Sequence, residues 1–136
     1  MILVDSNVAM DALDQDSHHH RWSRERLGDA VGSNAFINHI IVAELSARAV
    51  SGEQLAAMLE LLALPVDPID NGIAFRAGQA FVKWIENGGR RGAILPDFFV
   101  GAHAVARGAG VLTRDPRRFR TYFPELELIT PDMKND

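Results

Sequence analysis

The chain has 136 residues, 47% of them apolar and 24% charged, proportions that exclude disorder and fit one ordinary domain with its own core. It has no cysteine, which excludes disulfides, thiolate zinc sites and cysteine nucleophiles, and suits a cytoplasmic location. The net charge of −4 is unusual for a nucleic-acid binder, but all except Lys83 and Lys134 of the 14 basic residues are arginine, whose planar fork suits phosphate.

The opening run Met1-Ile2-Leu3-Val4 is apolar without alternation and stops at Asp5, Ser6 and Asn7. That pattern predicts a strand buried on both faces, with Asp5 just past its carboxyl end, where open α/β sheets bind ligands. The run is too short and unflanked for a signal peptide, and no other approaches the ~18 residues of a membrane span. Val8 to Leu13 reads as a short helix with Ala9, Ala12 and Leu13 apolar. Asp16 and Ser17 are placed to cap a second helix from His18 to Val31, lined by Trp22, Leu27 and Ala30. Consecutive helix positions point about 100° apart, so His18, His19 and His20 cannot converge on one ion and read as a solvated helix start.

Ala35 to Asn38 reads as a strand, followed by a helix from Ile40 to Val50 with Ile41, Leu45 and Ala49 as its buried stripe. Glu44 lies at the edge of that stripe. Taken alone it is an exposed helix residue, and only its early place in a helix after a strand argues for function. A fourth helix spans Glu53 to Leu64, ended by Pro65, and Val66 to Ile69 reads as a strand flanked by prolines. The apolar excess over residues 41–64 also fits a dimer or partner groove. Asp70 and Asn71 cap a long helix to Asn87, with Ala74, Ala77, Phe81 and Ile85 inward and Gly88-Gly89 as its stop.

After a basic loop at Arg90 and Arg91, Pro96 suits a helix first turn, and Asp97 faces its positive end. By itself such an acid is most often a dipole partner. The helix continues to Arg107 and closes at Gly108-Ala109-Gly110; His103 within it reads as structural, with no acidic partner visible. Gly110 to Thr113 repeats the opening pattern and is followed by Arg114 and Asp115. Pro116 to Arg120 adds three arginines, Leu126 to Ile129 reads as an edge strand, and the tail after Pro131 is polar.

Alternating strands and helices predict an α/β domain over residues 1–136, its central, mostly parallel sheet flanked by helices. Asp5, Glu44, Asp97 and Asp115 then converge at one end of the sheet. Two carboxylates ~4 Å apart repel by about 4 kcal/mol at an effective dielectric near 20, so four need a compensating charge. A hard divalent cation, Mg²⁺ or Mn²⁺, supplies it. Such an ion lowers the pKa of water and neutralises a phosphodiester, and hydrolysis then needs neither a histidine base nor a protein nucleophile.

The segments Val4-Asp5-Ser6-Asn7-Val8, Glu44-Leu45, Pro96-Asp97-Phe98-Phe99-Val100-Gly101-Ala102-His103-Ala104 and Thr113-Arg114-Asp115-Pro116-Arg117-Arg118-Phe119 together resemble a PIN domain, most nearly the VapC-type toxins of bacterial toxin–antitoxin modules. The likeness spans essentially the whole chain. It implies a Mg²⁺- or Mn²⁺-dependent endoribonuclease acting on structured RNA such as tRNA or rRNA. It also implies a homodimer silenced by a cognate antitoxin in a hetero-oligomer. By position, Asp5 and Asp97 would be the principal metal ligands and Glu44 would complete an acidic triad. Asp115 would be a fourth acid, binding metal directly or through water. Ser6, standing where the family often has threonine, joins Asn7 and Thr113 as the small polar residues that orient the carboxylates. Arg114, Arg117 and Arg118 become candidates for contact with RNA phosphates or with an antitoxin acid.

Two other readings fail on particular residues. A haloacid-dehalogenase-type phosphatase wants an acid where Asn7 stands, and a phosphoacceptor receiver domain wants a lysine after a late strand. A PIN fold that binds RNA or a partner without cutting is the alternative from another class. Retaining four mutually repelling acids without metal chemistry would only cost it stability.

Overall fold

Strand β1 (Ile2–Val4) lies inside the sheet, bordered by β2 (Ala35–Phe36) on one side and β3 (Gly110–Leu112) on the other, with β4 (Leu128–Ile129) at the far edge. All pairings among these four strands are parallel. The architecture is that of a computed structural model describing residues 1–131; the polar tail expected after Pro131 lies outside the described residues. β1 and β3 are buried at every position, which is why both read as unbroken apolar runs. Their register pairs Val4 with Leu112. The residues that follow, Asp5 and Thr113, therefore leave the sheet side by side, and the Asp5 amide donates to the Leu112 carbonyl at 2.9 Å.

Helix α1 (Ser6–Leu13) starts directly after β1 because the Asp5 side chain caps it, accepting from the Ser6 amide. Helix α2 (His20–Val31) starts later than its sequence suggests. Asp16 and Ser17 do not cap it: His19 holds the cap position without a side-chain bond, and the Ser17 hydroxyl donates to Asp11 Oδ1 at 2.8 Å instead. Helix α3 (His39–Ser46) is capped by Asn38 and ends before the expected Val50, leaving Ala49 beyond it. Helix α4 (Gly52–Leu62) stops at Ala63, which adopts the left-handed conformation with φ 53°, before Pro65 is reached. Val66 forms only an isolated bridge to Ile37 where a strand was expected. Pro65 and Pro68 flank it and have no amide to donate.

Helix α5 (Asn71–Glu86) is capped by Asp70 as expected, but its inner face differs. Ile73, Ala77 and Ala80 are buried, with Phe81 and Trp84 packed against the core, while Ala74 is exposed. Ile73 gains far more than Ala74 from burial, which favours this rotation once α6 packs opposite. Helix α6 (Pro96–Arg107) has Pro96 in its first turn and Gly108 at φ 64° as its stop. A seventh helix, α7 (Arg117–Tyr122), occupies what read only as a basic stretch; the fully buried Phe119 docks it. Among the described residues no helix is long and apolar enough to cross a membrane.

His103 is fully buried and does have an acidic partner, from a distant loop: its Nε2 lies 2.7 Å from Asp67 Oδ2. Asn38 accepts from the Ile41 amide through Oδ1, so its Nδ2 donates to His103 Nδ1 at 3.0 Å. That network assigns a neutral imidazole whose Nε2–H donates to Asp67, beside Arg107 Nε at 2.7 Å from the same oxygen.

Gly101 of α6 faces the ring of Phe123, and a methyl group there would lie 2.3 Å from a ring carbon. Alanine adds up to about 1 kcal/mol of helix propensity. Overpacking the buried ring costs about 1–3 kcal/mol. Gly101→Ala is therefore expected to lower the urea midpoint; an unchanged or raised midpoint would show that Phe123 moves aside freely.

Candidate active site

Asp5 is the most buried of the four acids, at 4% exposure. Its Oδ1 accepts from the Ser6 amide at 2.8 Å and its Oδ2 from the Thr113 hydroxyl at 2.8 Å. The Asn7 amide lies between the two loops. Its Nδ2 is 3.5 Å from Asp5 Oδ2 and 3.4 Å from Thr113 Oγ1, and its Oδ1 accepts from the Arg114 backbone at 3.1 Å. Thr113 Oγ1 also accepts from the Asp115 amide at 3.1 Å, which shapes the turn after β3. Ser6 turns its hydroxyl to α3 and donates to Glu44 Oε1 at 2.9 Å. The Ser6 and Thr113 hydroxyls thus each hold a carboxylate oxygen, and Asn7 links the turns after β1 and β3.

Asp97, in the first turn of α6, accepts from Arg118 Nη1 at 3.1 Å. Asp115 stands further out, its side chain 47% exposed and paired with Arg117 Nε at 3.3 Å. Arg114 turns away from the acids and binds Asp11 Oδ2 through Nε. Asp11 is a buried acid that no sequence pattern singled out; it stands four residues after Asn7 on the same face of α1, the one available signal. A groove of about 540 Å³ opens beside the acids, with Ser6, Asn7, Glu44, Arg48, Met10 and Met58 among the residues lining it. Arg48 and Met58 lie in the 41–64 stretch that also reads as a dimer or partner groove, whereas Met10 carries no such signal.

The electrostatics follow from burial and crowding. Burial raises the Asp5 carboxyl from an ordinary 3.8 to about 6; the Thr113 and Ser6 bonds oppose this, and the charges of Asp97 and Glu44 add to it. Glu44 is raised by burial and by Asp97, against the Ser6 hydroxyl. Asp97 is raised by burial, held back by Arg118 and pushed further up by Asp115. Each acid is thus linked electrostatically to at least one other.

The donor set suits a hard divalent cation, since every candidate ligand is a carboxyl oxygen and the mutual repulsion is what such a charge relieves. Among the described residues no three acidic, histidine or cysteine side chains form a ready-made set of ligands.

An all-parallel sheet flanked by helices, with acids beyond the carboxyl ends of its two inner strands, defines an α/β protein with a candidate site at that rim. The PIN domain family model matches residues 2–124, and the chain belongs to the PIN domain family. The fold is similar to that of the Rickettsia felis VapBC2 complex bound to a promoter DNA fragment, with TM-score 0.74 and 20% identity over 96% of this chain and 98% of that one. It is similar to DNA-bound VapBC from Salmonella typhimurium, with TM-score 0.72 and 23% identity over 95% of this chain and 96% of that one. It also resembles VapC20 of Mycobacterium tuberculosis, a toxin that cleaves the sarcin–ricin loop, with TM-score 0.60 and 14% identity over 82% and 87% of the two chains. A comparison with curated proteins gave no match.

A carboxyl raised by folding favours the protonated state, so its contribution to stability is complete below about pH 4 and is lost as pH rises through about 6. For Asp5 the shift corresponds to roughly 2–3 kcal/mol lost in the metal-free protein. Asp5→Asn keeps the acceptor for the Ser6 amide and removes the charge. In EDTA it is expected to raise the urea midpoint at pH 8 and to flatten its fall between pH 4.5 and 8. An unchanged pH profile would mean that Asp5 ionises in the fold as it does in water.

Proposed function

We propose that this protein is a divalent-metal-dependent endoribonuclease and the toxin of a VapBC-type toxin–antitoxin module. The observation that carries the reading is the set of Asp5, Glu44 and Asp97, three buried or half-buried carboxyls raised together at the sheet rim of a PIN fold. VapBC complexes among the fold neighbours support an antitoxin partner, and the sarcin–ricin-loop toxin supports structured RNA, tRNA or rRNA, as substrate. A homodimer bound to antitoxin in a hetero-oligomer, working in the cytoplasm, completes the reading.

In this scheme Asp5 and Asp97 would hold Mg²⁺ or Mn²⁺, with Asp115 reaching it directly or through water. When bound, the ion supplies neutralising charge to the scissile phosphodiester and lowers the pKa of water. Ser6 and Thr113 hold the carboxylates in orientation through their hydroxyls. Glu44 offers Oε2, the oxygen not engaged by Ser6, to the proton released as water attacks phosphorus and the phosphorus–oxygen bond to the leaving group breaks. All three arginines pair with acids, but Arg117, its side chain 87% exposed, is better placed to meet RNA phosphates than Arg118 at 44% or Arg114 at 34%.

Purified protein incubated with total cellular RNA and Mg²⁺ or Mn²⁺ is expected to yield discrete fragments, none in EDTA. Asp97→Asn is expected to slow cleavage by at least about 100-fold, as loss of a group stabilising transition-state charge does. Metal-independent cutting that survives Asp97→Asn would overturn the mechanism. Tight RNA binding without cutting would favour the non-cleaving PIN-fold module.

A further inference from the structure

Arg118 lies on a helix seated by aromatic packing. Phe119 of α7 is fully buried, and Tyr122 meets Phe98 edge-on with ring centres 5.4 Å apart. Phe98 follows Asp97 in the chain, so the packing that docks α7 also carries Arg118 to that acid. Its Nη1 donates to Asp97 Oδ2 at 3.1 Å, and its Cζ lies 5.9 Å from the centre of the Trp84 ring. Trp84 packs in turn on Phe98 at 5.8 Å. The guanidinium therefore occupies a slot between a carboxylate and an indole. The slot is not sealed: the Arg118 side chain is 44% exposed and that of Asp97 is 25% exposed, so the arginine can leave without unfolding α7.

We propose that Arg118 gates the loading of metal. It is the resident counter-ion of Asp97, competes with an incoming divalent cation for that carboxylate's charge, and so sets the cation concentration at which the site fills. The inference rests on the reading of these acids as a divalent-cation site. A guanidinium bonded to a carboxylate already offsets much of its negative charge, and two positive charges at one half-buried carboxylate repel. Arg117 provides the control for net charge. It carries the same charge one residue away, but its side chain is 87% exposed and its 3.3 Å pair is with Asp115, the outermost candidate ligand at 47% exposure, rather than with Asp97.

The test measures Mn²⁺ binding by titration calorimetry in the wild type, Arg118→Gln, Arg117→Gln and Asp97→Asn, with circular dichroism to confirm folding. Arg118→Gln is expected to tighten the Mn²⁺ Kd roughly threefold to tenfold. Arg117→Gln is expected to change it by less than about twofold, as an exposed pair does. A second readout follows Trp84 emission during Mg²⁺ titration in a Trp22→Phe background, which leaves Trp84 as the sole indole. Emission is expected to change with the midpoint of binding, and the response is expected to disappear when Arg118→Gln is added. Equal tightening by both arginine variants, or none by Arg118→Gln, overturns the gate while leaving the metal site standing. No Mn²⁺ binding by the wild type, or binding unaltered by Asp97→Asn, overturns the metal-site reading and the gate with it.

Discussion

The structure depends on keeping a carboxylate, Asp5, inside the protein at the end of its inner strand. A buried unpaired charge is among the most costly features a fold can contain. Here the Ser6 amide, the Thr113 hydroxyl and the more distant Asn7 amide all point at the two oxygens. The Ser6 bond is a local helix cap, but the Thr113 hydroxyl is in place only because the β1–β3 register sets Val4 against Leu112 and thereby Asp5 beside Thr113. The same group ties the turns after both strands together, since Asn7 also accepts from the Arg114 backbone. Even so, the bonds do not fully offset burial and the neighbouring acids, and the carboxyl remains raised to about 6. The residual imbalance is what a bound cation would remove.

The other acids are brought to this point by helices rather than strands, and those helices are braced against each other. Asn38 caps α3, which carries Glu44, and its amide also donates to His103 of α6, which carries Asp97. His103 then reaches Asp67, and Arg107 binds the same oxygen. Hydrogen-bonded networks of this kind, buried at Asn38 and His103 and partly exposed at Asp67 and Arg107, hold their elements in one arrangement. At the other end of α6, Phe98 contacts Phe81, Trp84 and Tyr122, fixing its first turn between α5 and α7. Asp97 is therefore set by packing on both sides of the helix that bears it.

Charge on the site is mixed by design of the chain rather than by its total. The protein is net negative, yet Arg117 and Arg118 both come from α7 and both face acids of the site, Asp115 and Asp97. A short helix with a buried aromatic anchor is thus enough to place two guanidinium groups at an acidic rim. Arg114, three residues earlier, is diverted to Asp11.

The amino-acid sequence by itself determined the inner strands, the acids at their ends and most helix boundaries. These are local matters: an unbroken apolar run, a capping Asp70, a Pro96 in a first turn and a Gly108 stop each act within a few residues. The family pattern placed Glu44 and Asp97 beside Asp5, although neither acid standing alone would have been chosen. Only the tertiary structure decided the Asp11–Arg114 and Asp67–His103 pairs, 103 and 36 residues apart, because nothing in the intervening chain encodes which partner a buried polar group will meet. It likewise decided the existence of α7, a helix of 6 residues whose stability comes from docking Phe119 rather than from its own backbone bonds. The inward face of α5 belongs with these, since which of Ile73 and Ala74 is buried is settled by what packs opposite.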